Sequence, residues 1–204
     1  MVQTLHRLKE SASQTAGPYV HIGLTPNFSG ITGVYASDLG ATIVNERSRG
    51  ERIKVRIRVI DGAGVPLKDA LVEIWQADAA GIYNSTSDLR GEADPNFSGW
   101  GRLPTDMTTG ECVFETIKPG RVPFFDGHKM APHITIWIVA RGINLGLHTR
   151  MYLADEKAAN AEDPVLARIE HKQRMATLIA PRVGDTYTFD VHLQGDNETV
   201  FFDI

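Results

Sequence analysis

A histidine that grips a metal from a β-strand needs a second donor two residues away, because alternate side chains share one face of the strand. His133 opens the apolar run His-Ile-Thr-Ile-Trp-Ile-Val, and two places on stands Thr135, a neutral hydroxyl where an imidazole would be needed. Val122, two residues beyond the turn at Pro119-Gly120, offers only methyl groups. A cation at these positions would be poorly held. Tyr83 follows Ala79-Ala80-Gly81-Ile82 just past a strand, where a lone tyrosine ordinarily packs with its hydroxyl at the surface.

The remaining chemistry-bearing residues narrow the reading further. The seven histidines, His6, His21, His128, His133, His148, His171 and His192, include no pair two, three or four positions apart in the sequence, so the strand and helix spacings of a local metal pair are absent. His148, Arg150 and Tyr152 would share a strand face, a grouping more typical of solvated or interface surface than of a metal centre. The chain has no Gly-x-Ser-x-Gly elbow, phosphate-binding Gly-Lys loop or dinucleotide-binding Gly-x-Gly-x-x-Gly turn. Asp61, Asp69, Asp94 and Asp155 lie at turns or element ends, where carboxylates cap backbone amides. Cys112 cannot form an internal disulfide and sits in an apolar segment, which favours a structural role and a reducing compartment.

Short strands must position these residues. Residues 53–60 alternate apolar and basic side chains, the period of a half-buried strand, and 71–76 follow as a second strand, so the pair is expected to form a hairpin with a long loop. Further strands are predicted at 111–117, 133–140, 147–153 and 186–193. Residues 155–161 and 164–180 predict a small helical patch over one edge of the sheets. The stretch 77–109 reads as one long loop, and 1–52 as an extended arm that packs on its own sandwich or on a neighbour. The expected fold is all-β, an antiparallel β-sandwich with long loops, an extended N-terminal arm and a small helical patch, in one domain over 1–204.

Composition excludes several functions. A net charge of −4 over 204 residues gives no general basic surface for nucleic acid. The basic concentration from Arg47 to Arg58 reads as the solvated face of a strand. No window approaches the apolar length of a membrane span, and residues 1–14 lack the apolar core of a secretion signal, so a cytoplasmic location is expected.

Several segments in order carry a resemblance. They are Ser13 to Tyr19, Val72-Glu73-Ile74-Trp75-Gln76-Ala77-Asp78, Gly81-Ile82-Tyr83, Ile117-Lys118-Pro119-Gly120, Ala131-Pro132-His133-Ile134, Ala140-Arg141-Gly142-Ile143-Asn144 and Glu198-Thr199-Val200-Phe201-Phe202-Asp203. Together they resemble the intradiol ring-cleaving dioxygenases, from Ser13 to Phe202. Glu73 to Ala77 marks the superfamily alone, whereas the Ser13–Tyr19 arm, the Arg141–Asn144 loop and the substituted ligand set resemble the α-type chain of its heteromeric members.

In the family's iron-bearing chains, two tyrosines and two histidines hold non-haem Fe(III). By the resemblance, Tyr83 falls on the first tyrosine position and His133 on the first histidine position, while Val122 and Thr135 replace the second of each. The resemblance therefore implies no metal and no catalytic residue on this chain, with Fe(III) on a homologous β subunit. It further implies that Thr15, Gly17, Pro18 and Tyr19 line a substrate cavity at the α/β boundary, where Arg141 helps position the substrate. The implied reaction is cleavage of protocatechuate by O2 to 3-carboxy-cis,cis-muconate in an assembly of α/β pairs. A sandwich-fold binding module working without a β partner is the alternative, and exposed apolar surface on the arm separates the two. A self-sufficient iron enzyme would need His128 or His148 to reach the site.

Overall fold

The computed structural model describes residues 14–203. Residues 1–13 of the arm, including Ser13, lie outside the described residues. Among the described residues nine strands form two facing sheets. In the first, β4 (Glu111–Ile117), β1 (Arg52–Ile60), β9 (Thr186–His192) and β8 (Arg182–Val183) lie side by side. In the second, the order is β3 (Trp100–Pro104), β2 (Leu71–Trp75), β5 (His133–Val139), β6 (Leu147–Leu153) and β7 (Ile179–Ala180).

The alternation read in β1 works as expected. Ile53, Val55, Ile57 and Val59 face inward with almost no exposure, while the basic residues between them face solvent. Arg58 pairs with Asp190 at 2.6 Å, Arg56 with Glu111 at 3.7 Å and Lys54 with Asp185 at 3.7 Å, so the basic run is a solvated face carrying ion pairs. The core between the sheets adds Val72 and Ile74 of β2, Phe114 of β4, Ile134, Ile136 and Ile138 of β5, Met151 of β6 and Phe189 of β9. Each such side chain contributes about 1.5–3 kcal/mol by leaving water. Cys112 is buried in this core and unpaired.

Several expectations need correction. β1 and β2 do not form a hairpin; they lie in different sheets. Asp61 accepts hydrogen bonds from the amides of Ala63 and Val65, so 61–70 makes its own turn and carries the chain across. Both edges of β1 are taken, by β4 antiparallel and by β9 parallel. β6 and β7 also run parallel, so the sandwich is mostly but not wholly antiparallel. Parallel pairing needs a long crossover, which the chain between β1 and β9 supplies. The stretch 77–109 contains β3, which pairs along the edge of β2.

Residues 155–180 hold a short helix, α2 (Lys157–Ala161 after α1, Val20–Leu24, in the arm), and two 3-10 segments, Leu166–Arg168 and Lys172–Leu178. They cover the outer face of β6 rather than merely an edge, burying Tyr152 with Leu166, Ile169 and Leu178. Tyr152 is therefore core, not the solvated residue its polar neighbours on the strand suggested.

Candidate functional site

The outer face of the second sheet gathers the four ligand positions, two of them substituted. Cross-strand pairing sets Trp75, Thr135 and Arg150 in one row, with His133 opposite Tyr152 in the next. Beyond β2 the Asp78 carboxylate accepts hydrogen bonds from the amides of Ala80 and Ile82, closing a tight turn. Gly81 completes it at φ +81°, and a Cβ there would collide with the carbonyl of Arg121. That close approach brings the Val122 loop against the turn. The turn lays the Tyr83 ring on Trp75, with centroids 5.7 Å apart and planes within 4°, and the Tyr83 amide donates to Asp88 at 2.9 Å. Val122 is buried with Ala77 and Met130, and Tyr83, Phe124 and Val165 pack against them.

The electrostatics of this group are those of a plugged site. His133 is 3% exposed, and its Nδ1 lies 2.8 Å from the carbonyl oxygen of Ala131. A carbonyl can only accept, so Nδ1 carries the proton and Nε2 presents a lone pair. That Nε2 is buried with no hydrogen-bond partner. Burial, with the charge of Arg150 added, lowers the His133 pKa to about 4. Burial likewise pushes Tyr83 above its ordinary value, against the pull of the Arg150 and Arg90 guanidiniums. The Tyr152 hydroxyl, 3.3 Å from Asp163, is raised by burial and then by that carboxylate. Arg150 has its Nη1 3.4 Å from the sulfur of Met130 and its guanidinium 6.0 Å from the Phe202 ring centre.

These residues do not fit ferric iron. Two oxygen or nitrogen donors remain, a valine and a methionine fill space beside them, and a fixed guanidinium close enough to perturb both Tyr83 and His133 repels a cation. Among the described residues no group of three or more His, Cys, Asp or Glu side chains could hold a metal. The His128 side chain is exposed, with Nδ1 3.2 Å from the Asp126 carboxylate. His148 lines the same cavity as Thr135 and Arg150.

The second group of expected residues meets at the other end of β5. Thr15 bridges Asn144, its hydroxyl donates to the carbonyl of Ala140 at 3.0 Å, and the Leu145 amide donates to the carbonyl of Gln14. The arm is thereby tied to the loop that carries Arg141. Gly17, at φ +79°, donates its amide to the Thr15 hydroxyl at 3.3 Å and turns the chain toward Pro18 and Tyr19. Tyr19 is 74% exposed. Arg141 places Nε 3.0 Å from Asp69, and its side chain is 61% exposed while that of Asp69 is 7% exposed. Since β5 spans His133–Val139, Arg141 and His133 stand roughly 20 Å or more apart. The structure thus brings Thr15, Gly17 and Arg141 together and separates them from Tyr83, Val122, His133 and Thr135.

Beyond Tyr19, the arm exposes Phe28, Ile31, Val34, Tyr35 and Leu39. The segment is shaped rather than loose, since the Asp38 carboxylate accepts from the amides of Asn27 and Phe28 at 2.8 Å each. A group of large apolar side chains held outward marks an interaction surface.

Sequence reasoning passed over Asp69 as the anchor of Arg141 and Arg150 as a cation beside the ligand positions. Arg150 carried a signal, its shared face with Tyr152, but the pairing with Thr135 depends on the strand register.

The chain matches known proteins along most of its length. A family described as "Dioxygenase" matches residues 25–195. The protocatechuate 3,4-dioxygenase alpha chain of Pseudomonas putida is 45% identical over 200 residues, covering 96% of this chain and 97% of that one. The protocatechuate 3,4-dioxygenase beta chain of Burkholderia cepacia is 34% identical over 168 residues, covering 77% of this chain and 70% of that one. Among solved structures, catechol 1,2-dioxygenase from Acinetobacter sp. ADP1 superposes with a TM-score of 0.56 at 20% identity, covering 84% of this chain and 67% of that one. This last likeness bears on the fold.

Proposed function

Because the chain belongs to the dioxygenase family matched over residues 25–195, we propose that it is the α subunit of a heteromeric protocatechuate 3,4-dioxygenase. In this reading it walls the substrate cavity, and a homologous β chain holds the Fe(III). The supporting observation is the separation along β5. Arg141, Thr15 and Gly17 form a cationic, partly exposed corner at one end, and the metal-ligand positions lie degraded at the other. A residue that orients substrate from the Arg141 end serves a metal that another chain brings to it.

Arg141 suits the role of positioning residue. Asp69 engages Nε, which leaves the terminal guanidinium nitrogens to meet a carboxylate. Gly17 and Pro18 give a rigid backbone that a ring can approach closely, with no side chain at Gly17 and a fixed φ at Pro18. Thr15 ties this wall to the Arg141 loop. Tyr19 and the apolar residues from Phe28 to Leu39 supply surface for the β chain to cover. This chain binds and orients substrate, and the oxygen chemistry of ring cleavage to 3-carboxy-cis,cis-muconate belongs to the partner's metal. The buried, unpaired Cys112 accords with a cytoplasmic setting for the assembly.

Co-expression with the β chain tests the reading. Oxygen uptake with protocatechuate should require both chains, and full activity of either chain alone would overturn it.

A further inference from the structure

A cavity of about 450 Å³ opens on the outer face of the second sheet, beside the degraded ligand positions. Thr135 and Arg150 form its floor, and Val165, Ile169 and Phe202 supply apolar wall. The C-terminal segment closes one side, with the Phe202 amide donating to the carbonyl of His148 at 2.8 Å. The volume falls in the range of small-molecule sites.

Charge in this cavity is one-sided. Arg150, Arg168 and Arg174 line it against a single carboxylate, Glu170. Arg174 is engaged by Glu198 at 2.9 Å and by backbone carbonyls. Arg168 stacks over Phe124 and Phe125, 4.8 and 5.0 Å from the ring centres. Among the described residues neither Arg150 nor Arg168 pairs with a carboxylate. Arg150 is half-buried, with the Met130 thioether, the Phe202 ring and the Tyr152 hydroxyl as its neighbours and no carboxylate in contact among the described residues. A partly desolvated guanidinium without a counter-ion is costly, and a carboxylate relieves that cost through two parallel hydrogen bonds. The Thr135 hydroxyl and the His148 and His171 imidazoles that also line the cavity add no competing anion.

We propose that this cavity binds a small aromatic carboxylate, held by Arg150 with support from Arg168 and with its ring against Phe202 and Ile169. The chain then has an anion site of its own, at the opposite end of β5 from Arg141. The inference rests on the geometry of this face and holds whether or not a partner supplies iron.

Calorimetric titration of the assembled α/β complex with benzoate provides the test, alongside oxygen uptake with protocatechuate. The expected result is two benzoate sites per α/β pair. Arg150→Met should weaken one of them about 10- to 150-fold, the loss of a charged hydrogen-bonded pair. Arg168→Gln, at an exposed position where misfolding is not a concern, should weaken the same site about 5-fold. Neither substitution should change kcat/KM for protocatechuate. Acetate, which has the charge but no ring, should bind that site at least about 10-fold more weakly than benzoate, the difference supplied by burying the ring. The absence of any benzoate site weakened by Arg150→Met, unchanged affinities in both variants, or equal binding of acetate at that site would overturn the proposal. Loss of ring cleavage on omitting the β chain is read separately, so failure here and failure of the subunit reading are distinguishable.

Discussion

Replacing Arg141 by alanine separates its contact with Asp69 from its proposed contact with the substrate carboxylate. Toward the protein, its Nε lies 3.0 Å from an Asp69 carboxylate that is 7% exposed, with the other oxygen, Oδ1, buried and without a partner. Toward solvent it is 61% exposed, so the ion pair itself contributes no more than about 1 kcal/mol to stability. Toward substrate, a guanidinium–carboxylate hydrogen bond contributes about 1.5–3 kcal/mol, or about 10- to 150-fold in an equilibrium constant. Arg141→Ala in the α/β complex should therefore raise KM for protocatechuate by about 10- to 150-fold. KM for unsubstituted catechol, which has no carboxylate, should change no more than about 3-fold. Arg141→Lys should fall between, because it keeps the charge and loses the planar fork. Initial rates of oxygen uptake on both substrates give the comparison, and a thermal melt gives the stability arm. Equal losses on the two substrates would refute the assignment of the guanidinium to the carboxylate.

The buried imidazole of His133 predicts a pH effect. With a folded pKa near 4 against an ordinary value of 6.5, the unfolded chain binds the proton first. The stability this group supports is present above pH 6.5 and falls by up to roughly 3 kcal/mol as pH drops toward 4. His133→Gln should flatten that slope in chemical denaturation, and an imidazole NMR midpoint near 6.5 would contradict it. At Asp155 burial favours the proton, but the Lys118 ammonium at 2.8 Å and the Tyr187 hydroxyl at 2.7 Å outweigh it and hold the pKa at about 2. Its contribution is present above about pH 4 and lost toward pH 2, so Asp155→Asn should cost about 1 kcal/mol at pH 7 and nothing near pH 2, read from urea midpoints. Gly81→Ala places a side chain at φ +81° against the Arg121 carbonyl and should cost about 2–4 kcal/mol, with loss of Tyr83–Trp75 stacking in near-ultraviolet circular dichroism. An unchanged melting temperature would show that the turn yields without strain.

The parts of this fold legible in the sequence were those set by local pattern. The alternation at 53–60 and the strand segments read at 111–117 and 147–153 became β1, β4 and β6 within a residue at each end. What pattern could not supply was partner choice. β1 reads as half of a hairpin with β2, yet inward-facing Val55 and Ile57 pack from the opposite sheet, with β4 and β9 as neighbours. β3, bracketed by Gly99 and Pro104, has too little apolar run to stand out from its loop and exists because β2 offers a free edge. At the degraded ligand positions, the residue types themselves were informative, since valine and threonine cannot do the work of a phenolate and an imidazole. Arg150 became visible as the cation of that cluster only with the register that sets it opposite Thr135. Asp69, read as one of several turn carboxylates, gained its part as the anchor of Arg141 from a contact across 72 positions of the chain.

Anomalous diffraction at the iron edge, on crystals of the α/β complex soaked anaerobically with protocatechuate, tests the central claim most directly. The account predicts one iron peak per pair, within the β chain, with the substrate carboxylate against Arg141 of this chain. An iron peak between Tyr83 and His133 would contradict it.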